Sequence, residues 1–301
     1  MAQIITPADL ANVMPTIIAE ILHTAEFETI MARLVRQYKL KPGTGASYKI
    51  SQRGRINVQH LVVGQDMAQP QKDAISQISF TPAEAGGNVV LLDVDVRQAQ
   101  DDVMRAYGRE LGDAMARIVD TDLITAAQGT ANSKVFGPTA GTKFGGAGFE
   151  LTTILRKCVS LLMRPADVVN ATLNVIEQAK PPYNMVLHPY HWFDLSAQLT
   201  ATTSTFPSSL QQDVLDNYRV GRLFSMNIYQ DANIPITAQD DATAIAFAQD
   251  GLVLVRETGV QFEPERDASH RGTELNVVQS YATGRYSDAW VLKGVAEALI
   301  A

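Results

Sequence analysis

The segment QAQDDVMRAYGRELGDAMARIVDTDLITAAQ, residues 98–128, reads as one uninterrupted helix. Met104, Tyr107, Leu111, Ala114 and Ile118 recur at alternating three- and four-residue spacing, with Arg105, Arg109, Asp113 and Arg117 around that seam. Asp101 and Asp102 suit the positive end of the helix dipole. At 1.5 Å per residue the rod spans roughly 45 Å, long for a globular domain. Gly108 and Gly112 each cost up to ~1 kcal/mol relative to alanine in a helix, so their presence implies that another backbone approaches closely there.

The stretch ahead of this rod has a different character. Tyr48 and Ile50, Ile56 and Val58, Ile75, Ile78 and Phe80, and then NVVLLDVDV read as strands around a polar, glutamine-rich centre, GQDMAQPQKDAISQ. That centre is too polar to bury, so the simplest reading is a long two-stranded β-ribbon projecting from the body. A ribbon alone is marginal in water because nothing covers its faces. It should therefore lie on something else, and another subunit is the simplest support. Lys49, Arg53 and Arg55 form a small basic cluster on it, suited to carboxylates of a neighbouring subunit. Arg53, Arg55, Gln65, Asp66 and Gln69 are the candidate inter-subunit contacts.

The remaining segments complete an α+β pattern. The N-terminal TPADLANVMPTIIAEILHTAEFETIMARLVRQY is helical in periodicity, with Ile30 and Leu34 on its apolar face. Residues 129–150 form a Gly-rich loop, followed by a helix over 151–163 and a second over 165–178. NMVLHPYHWFDLSAQL reads as a short apolar strand running into a helix, with Pro189 at the first helical position and Trp192, Phe193 and Leu195 supplying apolar contacts. TAIAFAQDGLVLVRE reads as a hairpin turning at Gln249-Asp250-Gly251. TGVQFEPE and ELNVVQSYATGRY are two further strands, and AWVLKGVAEALI closes the chain. There is no repeat of solenoid period and no βαβαβ succession.

Little in this inventory resembles an active site. His188, His191 and Asp194 fall three apart, but zinc hydrolases set two histidines four apart on one helix face. Pro189 also separates the backbone conformations of the two histidines. GPTAGTK resembles a phosphate loop, yet Gly137 and Gly141 are separated by three residues where four are needed, and Thr142 precedes Lys143. Asp93 with Asp95, and Asp101 with Asp102, read as a solvated strand face and a helix terminus. The single cysteine, Cys158, excludes an internal disulfide and lies on a helical stripe with Leu151, Ile154, Leu155 and Leu162, which reads as buried. A net charge of −7 argues against a tight phosphate-backbone binder. No apolar run reaches the ~20 residues of a membrane span, and the N-terminus lacks a secretory signal pattern.

The order of elements resembles the major capsid protein of tailed bacteriophages, with the Hong Kong 97-type fold. Four stretches carry the likeness. A helical arm precedes the extended loop SQRGRINVQHLVVGQDMAQPQ. The long helix leads into the Gly-rich loop. MVLHPYHWFDL matches a strand-to-helix element of the form Val-x-x-Pro-x-x-Trp-x-x-Leu. RLFSMNIYQDANIP, AFAQDGLVLVRETGVQFEPERD and YSDAWVLKGVAEAL then follow in order. The resemblance implies an N-terminal arm over 1–45, an extended loop over 46–88, a peripheral domain over 89–181 holding the spine helix at about 98–128, an axial domain over 182–258, and strands returning to the peripheral domain over 259–301.

It also implies a non-enzymatic role without cofactor or metal. Hexamers and pentamers would form an icosahedral shell around double-stranded DNA that is enclosed without sequence-specific binding. The virion is the destination, the host cytoplasm the place of assembly, and no membrane is involved. There is no room ahead of the arm for a long scaffolding segment, so a separate scaffolding protein is expected, together with a portal and a decoration protein. Some relatives cross-link through an extended-loop lysine; Lys49 and Lys72 lie in the loop here, but no matching motif identifies either. Two rivals stand beside this reading: an encapsulin-type compartment, which shares the fold, and a metalloenzyme built on His188 and His191.

Overall fold

The computed structural model describes residues 29–41, 45–53, 60, 63, 75–94, 101–130, 140–143, 151–163, 169–170, 175–176, 178–200 and 222–298. In chain order the helices are α1 (Met31–Leu34), α2 (Asp101–Gln128), α3 (Leu151–Met163) and α4 (Pro189–Thr200). The strands are β1 (Arg36–Lys39), β2 (Tyr48–Arg53), β3 (Ile75–Phe80), β4 (Ala83–Leu92), β5 (Val169–Asn170), β6 (Val175–Ile176), β7 (Tyr183–Leu187), β8 (Arg222–Leu223) and β9 (Met226–Gln230). They continue with β10 (Asp241–Ala248), β11 (Leu252–Asp267), β12 (Gly272–Arg285) and β13 (Val291–Glu297). Helix and sheet are thus mixed, as the α+β reading expects. The chain divides into two compact units.

One unit combines Met1–Ala46, Thr81–Ala126 and Val253–Gly284. Its four-stranded sheet has the order β1-β11-β12-β4. β1 runs parallel to β11, from Arg36↔Val253 to Lys39↔Arg256. β4 runs antiparallel to β12, from Gly272↔Leu92 to Tyr281↔Ala83. One face of the sheet packs on the long helix, where Leu91, Leu275 and Val277 meet Leu111 and Met115, flanked by Val89, Tyr107, Val260 and Phe262. Polar ties reinforce the contact: Gln279 Nε2 donates to the Met115 carbonyl at 3.2 Å, and the Tyr281 hydroxyl donates to Asp122 at 2.6 Å. Asp120 accepts the Ile30 N–H at 2.8 Å.

The long helix forms over nearly the expected residues, but its buried stripe is rotated from the expected seam. Leu111, Met115, Ala116, Val119, Leu123, Ile124 and Ala127 are buried, whereas Ala114 is exposed and Ile118 is 38% exposed. From Leu111 the core follows four-residue steps to Met115 and Val119, which a helix of 3.6 residues per turn permits where a strict 3.5 repeat would not. Gly108 and Gly112 are buried too.

Two other expectations fail in this unit. The N-terminal helical periodicity does not continue through Tyr38. After α1, Val35 turns extended (φ −102°, ψ 165°) and the chain becomes β1. The main-chain ladder with β11 overrides the local period, and Val35 and Tyr38 tolerate extended backbone well. LVLVRE and TGVQFEPE are a single 16-residue strand, uninterrupted at Gly259. β11 joins β12 through a turn in which Asp267 accepts the N–H groups of Ser269 and His270, and Arg271 takes φ +49°.

The second unit combines Ser47–Phe80, Ala127–Leu252 and Arg285–Ala301. Its five-stranded mixed sheet has the order β13-β10-β7-β9-β8. β10 is antiparallel to both β13 and β7, and β7 is parallel to β9. Every residue of β7 is buried, which explains its unbroken apolar run Met185-Val186-Leu187. α3 contributes Ile154, Leu155, Cys158 and Leu162 to the core, and α4 contributes Trp192 and Leu195. β2 pairs with β3 as an antiparallel ribbon, from Tyr48↔Phe80 to Arg53↔Ile75.

Two corrections belong here. Val169–Asn170 and Val175–Ile176 are paired antiparallel strands, not part of a helix over 165–178; the β-branched Val169, Val175 and Ile176 favour extended backbone. Gln249-Asp250-Gly251 is not a hairpin turn. It is a short 3₁₀ segment from which the chain leaves one sheet and enters the other. β10 already has β7 and β13 on its two edges, so no edge remains for β11. Gly251 is needed for proximity instead: a Cβ there would lie 2.8 Å from the Trp290 carbonyl oxygen.

Candidate functional site

The strand-to-helix junction at residues 183–195 gathers the histidines. Pro189 opens α4, where its missing N–H would have had no helical partner. Both rings are buried and used in holding the junction. His188 Nδ1 accepts the Tyr190 N–H at 3.2 Å, and its ring meets that of Tyr190 edge-on at 4.8 Å. His191 Nε2 lies 3.1 Å from the Ala296 carbonyl oxygen in β13; as the Nε2–H tautomer it donates there. Burial lowers the pKa of His188 and takes that of His191 to about 4, so both are neutral at physiological pH. Asp194 is half-buried, and its pKa is raised by burial against the opposing charge of Lys143. Among the described residues no group of three His, Cys, Asp or Glu side chains converges on a metal position.

Phe193 does not join Trp192 and Leu195 in the core; it is 47% exposed. The inward positions of α4 are His191, Trp192 and Leu195, and at 100° per residue Phe193 falls outside that sector.

The other chemical candidates are also structural. Cys158 is fully buried, and burial raises its thiol pKa well above the ordinary value, so it carries no nucleophilic thiolate. Gly141, with φ +71°, donates its N–H to Asp241 at 2.7 Å, and Thr142 accepts the Glu297 N–H at 3.0 Å. These groups complete the edge of the sheet rather than cradle an anion; Gly137 lies outside the described residues. Asp93 holds Arg266 through two contacts of 2.6 and 2.7 Å, while the side chains of Asp95, Asp101 and Asp102 lie outside the described residues. No helix among the described residues is long and apolar enough to cross a membrane.

What remains is the ribbon of β2 and β3. Its two faces differ. Tyr48, Ile50, Gln52, Ser76, Ile78 and Phe80 alternate onto one face, which is buried or half-buried. Gln52 Nε2 donates to the Tyr286 carbonyl at 2.5 Å, and its Oε1 accepts from Ser76 Oγ at 3.1 Å. Lys49, Ser51, Ile75, Gln77 and Ser79 alternate onto the other, which is exposed. Among the described residues, the base of the ribbon is thus covered on one face and exposed on the other. Arg53 occupies the register position opposite Ile75. The Arg53 side chain, and Arg55, Gln65, Asp66, Gln69 and Lys72, lie outside the described residues. The sequence reading missed Gln52 as an anchor; its signal was a polar residue at a position alternating with Tyr48 and Ile50.

Comparison with known proteins adds the family. A family profile described as phage capsid protein matches residues 76–293, most of the chain. No curated protein sequence matches. The fold is similar to that of a solved Mycobacterium phage Che8 chain, at 16% identity over 88% of this chain and 90% of that one (TM-score 0.65). It is similar to the capsid of cyanophage P-SCSP1u, at 15% identity over 90% and 89% (TM-score 0.62). A virus-like particle from Pyrococcus furiosus also matches, at 10% identity over 94% and 98% (TM-score 0.56). With its apparent chemical sites accounted for as packing, and with its profile and fold both matching shell proteins, the chain belongs to the phage capsid protein family.

Proposed function

We propose that the chain is the major subunit of a tailed phage's icosahedral shell, assembling as hexamers and pentamers around double-stranded DNA in the host cytoplasm. The observation that carries this reading is the half-covered ribbon. A two-stranded sheet is marginal with one face bare, and a neighbouring subunit supplies the missing layer. The contacts are heterologous, one patch meeting a different patch and closing by symmetry. In this reading the Hong Kong 97-type divisions apply: arm 1–45, extended loop 46–88, peripheral domain 89–181, axial domain 182–258 and return strands 259–301. Arg53, Arg55, Gln65, Asp66 and Gln69 touch the neighbour. A scaffolding protein, a portal and a decoration protein complete the particle, and the acidic chain encloses DNA without gripping it.

Electron microscopy of the high-mass fraction after co-expression with a scaffold tests this. Closed shells are expected, and small oligomers alone would overturn it. Deleting residues 53–72 should leave a folded subunit that closes no shells; a chain that fails to fold would instead place the ribbon in the core. The likeness to the Pyrococcus furiosus particle supports a second reading, a protein compartment. Packaged DNA favours the first, a co-purifying enzyme the second.

A further inference from the structure

Histidine is an unusual residue to close the start of a helix. α4 begins at Pro189, so His188 holds the position just before the first helical residue. Its carbonyl accepts the Trp192 N–H at 3.1 Å, and its Nδ1 accepts the Tyr190 N–H at 3.2 Å. The second bond is the one that Ser, Asp or Asn makes as an N-cap, a side-chain acceptor meeting a free N–H of the first turn. Pro189 has no N–H, so Tyr190 carries the first donor that needs a partner. His188 is buried, and its ring packs edge-on against that of Tyr190 at 4.8 Å, which holds the imidazole in this role.

The difference from an ordinary cap lies in the acceptor. A hydroxyl, amide or carboxylate oxygen keeps its lone pairs across the neutral range. Nδ1 has one only while the ring is the neutral Nε2–H tautomer. A proton there sets a donor against a donor and puts positive charge at the positive end of the helix dipole. His191 responds differently, because its Nε2–H bond to the Ala296 carbonyl, at 3.1 Å, survives protonation.

Charged groups reach this junction from several elements. The His191 ring, 6.3 Å from that of His188 between centroids, disfavours a second proton on the pair, while Asp241 of β10 favours one on His191. Asp231 follows β9 at the register position after Leu187↔Gln230. Its Oδ1 accepts the Asn233 N–H at 2.8 Å, and burial raises its pKa. Asp194 on α4 feels Lys143 and Glu297 in opposite senses. At His188 burial prevails and lowers the pKa below 6.5. The opened turn therefore binds the proton before the closed turn does, and closure weakens as the pH falls below 6.5.

We infer that His188 is an acid-released cap: the neutral ring closes the first turn of α4, and a proton on Nδ1 opens that turn while the sheet beneath stays folded. Tyr190 and Phe193, 39% and 47% exposed, ride on this turn, so its release alters an aromatic surface as well as a helix end. The device belongs to the single subunit and stands apart from the shell reading.

Hydrogen exchange of the full-length subunit at pH 7.5 and 5, corrected for intrinsic rates, tests it. Acid should cost wild type about tenfold in protection over residues 190–195, the size of a lost helix cap, while residues 241–248 keep theirs. His188→Asn supplies an acceptor that does not titrate and should stay protected at both pH values. His188→Ala should be as poorly protected at pH 7.5 as wild type is at pH 5. Wild type that keeps its protection in acid, or loses it equally over 241–248, overturns the inference. So does an acid loss in His188→Asn as large as in wild type, or full protection in His188→Ala at pH 7.5. Nitrogen-15 histidine spectra of wild type read the same switch without substitution. His188 should carry its proton on Nε2 at pH 7.5 and become doubly protonated with the midpoint seen in exchange; a proton on Nδ1 at pH 7.5, or a separate midpoint, overturns the inference.

Discussion

Gln52, on the second strand of the fold, reaches the main-chain carbonyl of Tyr286 near the far end of the sequence and fastens the root of the ribbon there. The amide is buried and is also held by Ser76, so both ends of the side chain are engaged. Gln52→Leu leaves the Tyr286 carbonyl without this donor and should cost about 1–3 kcal/mol. Denaturant unfolding of the isolated subunit checks the loss. Hydrogen exchange should locate the loosening at residues 75–80; unchanged protection there would show that the ribbon does not depend on this bond.

Acid should weaken the subunit through His191. Its folded pKa, about 4, lies below the ordinary value of 6.5, because burial disfavours the charged ring. The unfolded chain therefore binds the proton first. Stability is full above pH 6.5 and falls as the pH drops towards 4, by about 3 kcal/mol in total. His191→Gln keeps a donor for Ala296 and removes the titration, so unfolding curves between pH 7.5 and 4.5 should flatten. An equal slope in the variant would assign the effect to other groups, with His188 the first to examine.

Cys158 should behave as a small hydrophobe. A thiol reagent should label it only after denaturation, since the side chain is fully buried and its pKa is raised. Cys158→Ser places a hydroxyl among Ile154, Leu155 and Leu162 and should lower stability by about 1–3 kcal/mol. Fast labelling of the folded protein would contradict the packing.

Two glycines should respond in opposite directions. Gly251→Ala drives a Cβ against the Trp290 carbonyl oxygen and should destabilise by about 1–3 kcal/mol. Gly259→Ala meets nothing within 4 Å in mid-strand and should be neutral or stabilise by about 0.4–1 kcal/mol. Thermal midpoints of the two variants check the contrast.

Local patterns were legible where one element decided its own fate. The long helix begins at Asp101, close to the expected start, and Pro189 does open α4, because caps and periods are written in neighbouring residues. What could not be read was which strand would claim which edge. Asp250-Gly251 looks like a hairpin turn to any local test, yet β10 had two distant partners. Arg36–Lys39 continues a helical period and still becomes a strand because Val253–Arg256 is there to receive it. The side of the sheet that each charge takes was hidden for a similar reason: Glu84 and Glu274 come from separate strands, and only the register brings them to one face.

The pairing of β1 with β11 also sets the order of events during synthesis. Residues 36–39 leave the ribosome well before their partners at 253–256. β4 waits in the same way for β12. Closing loops of that length is slow, and until it happens two strand edges stand open. A nascent chain therefore cannot complete this sheet until β11 and β12 have been made. Translation itself thus times the closure of this sheet.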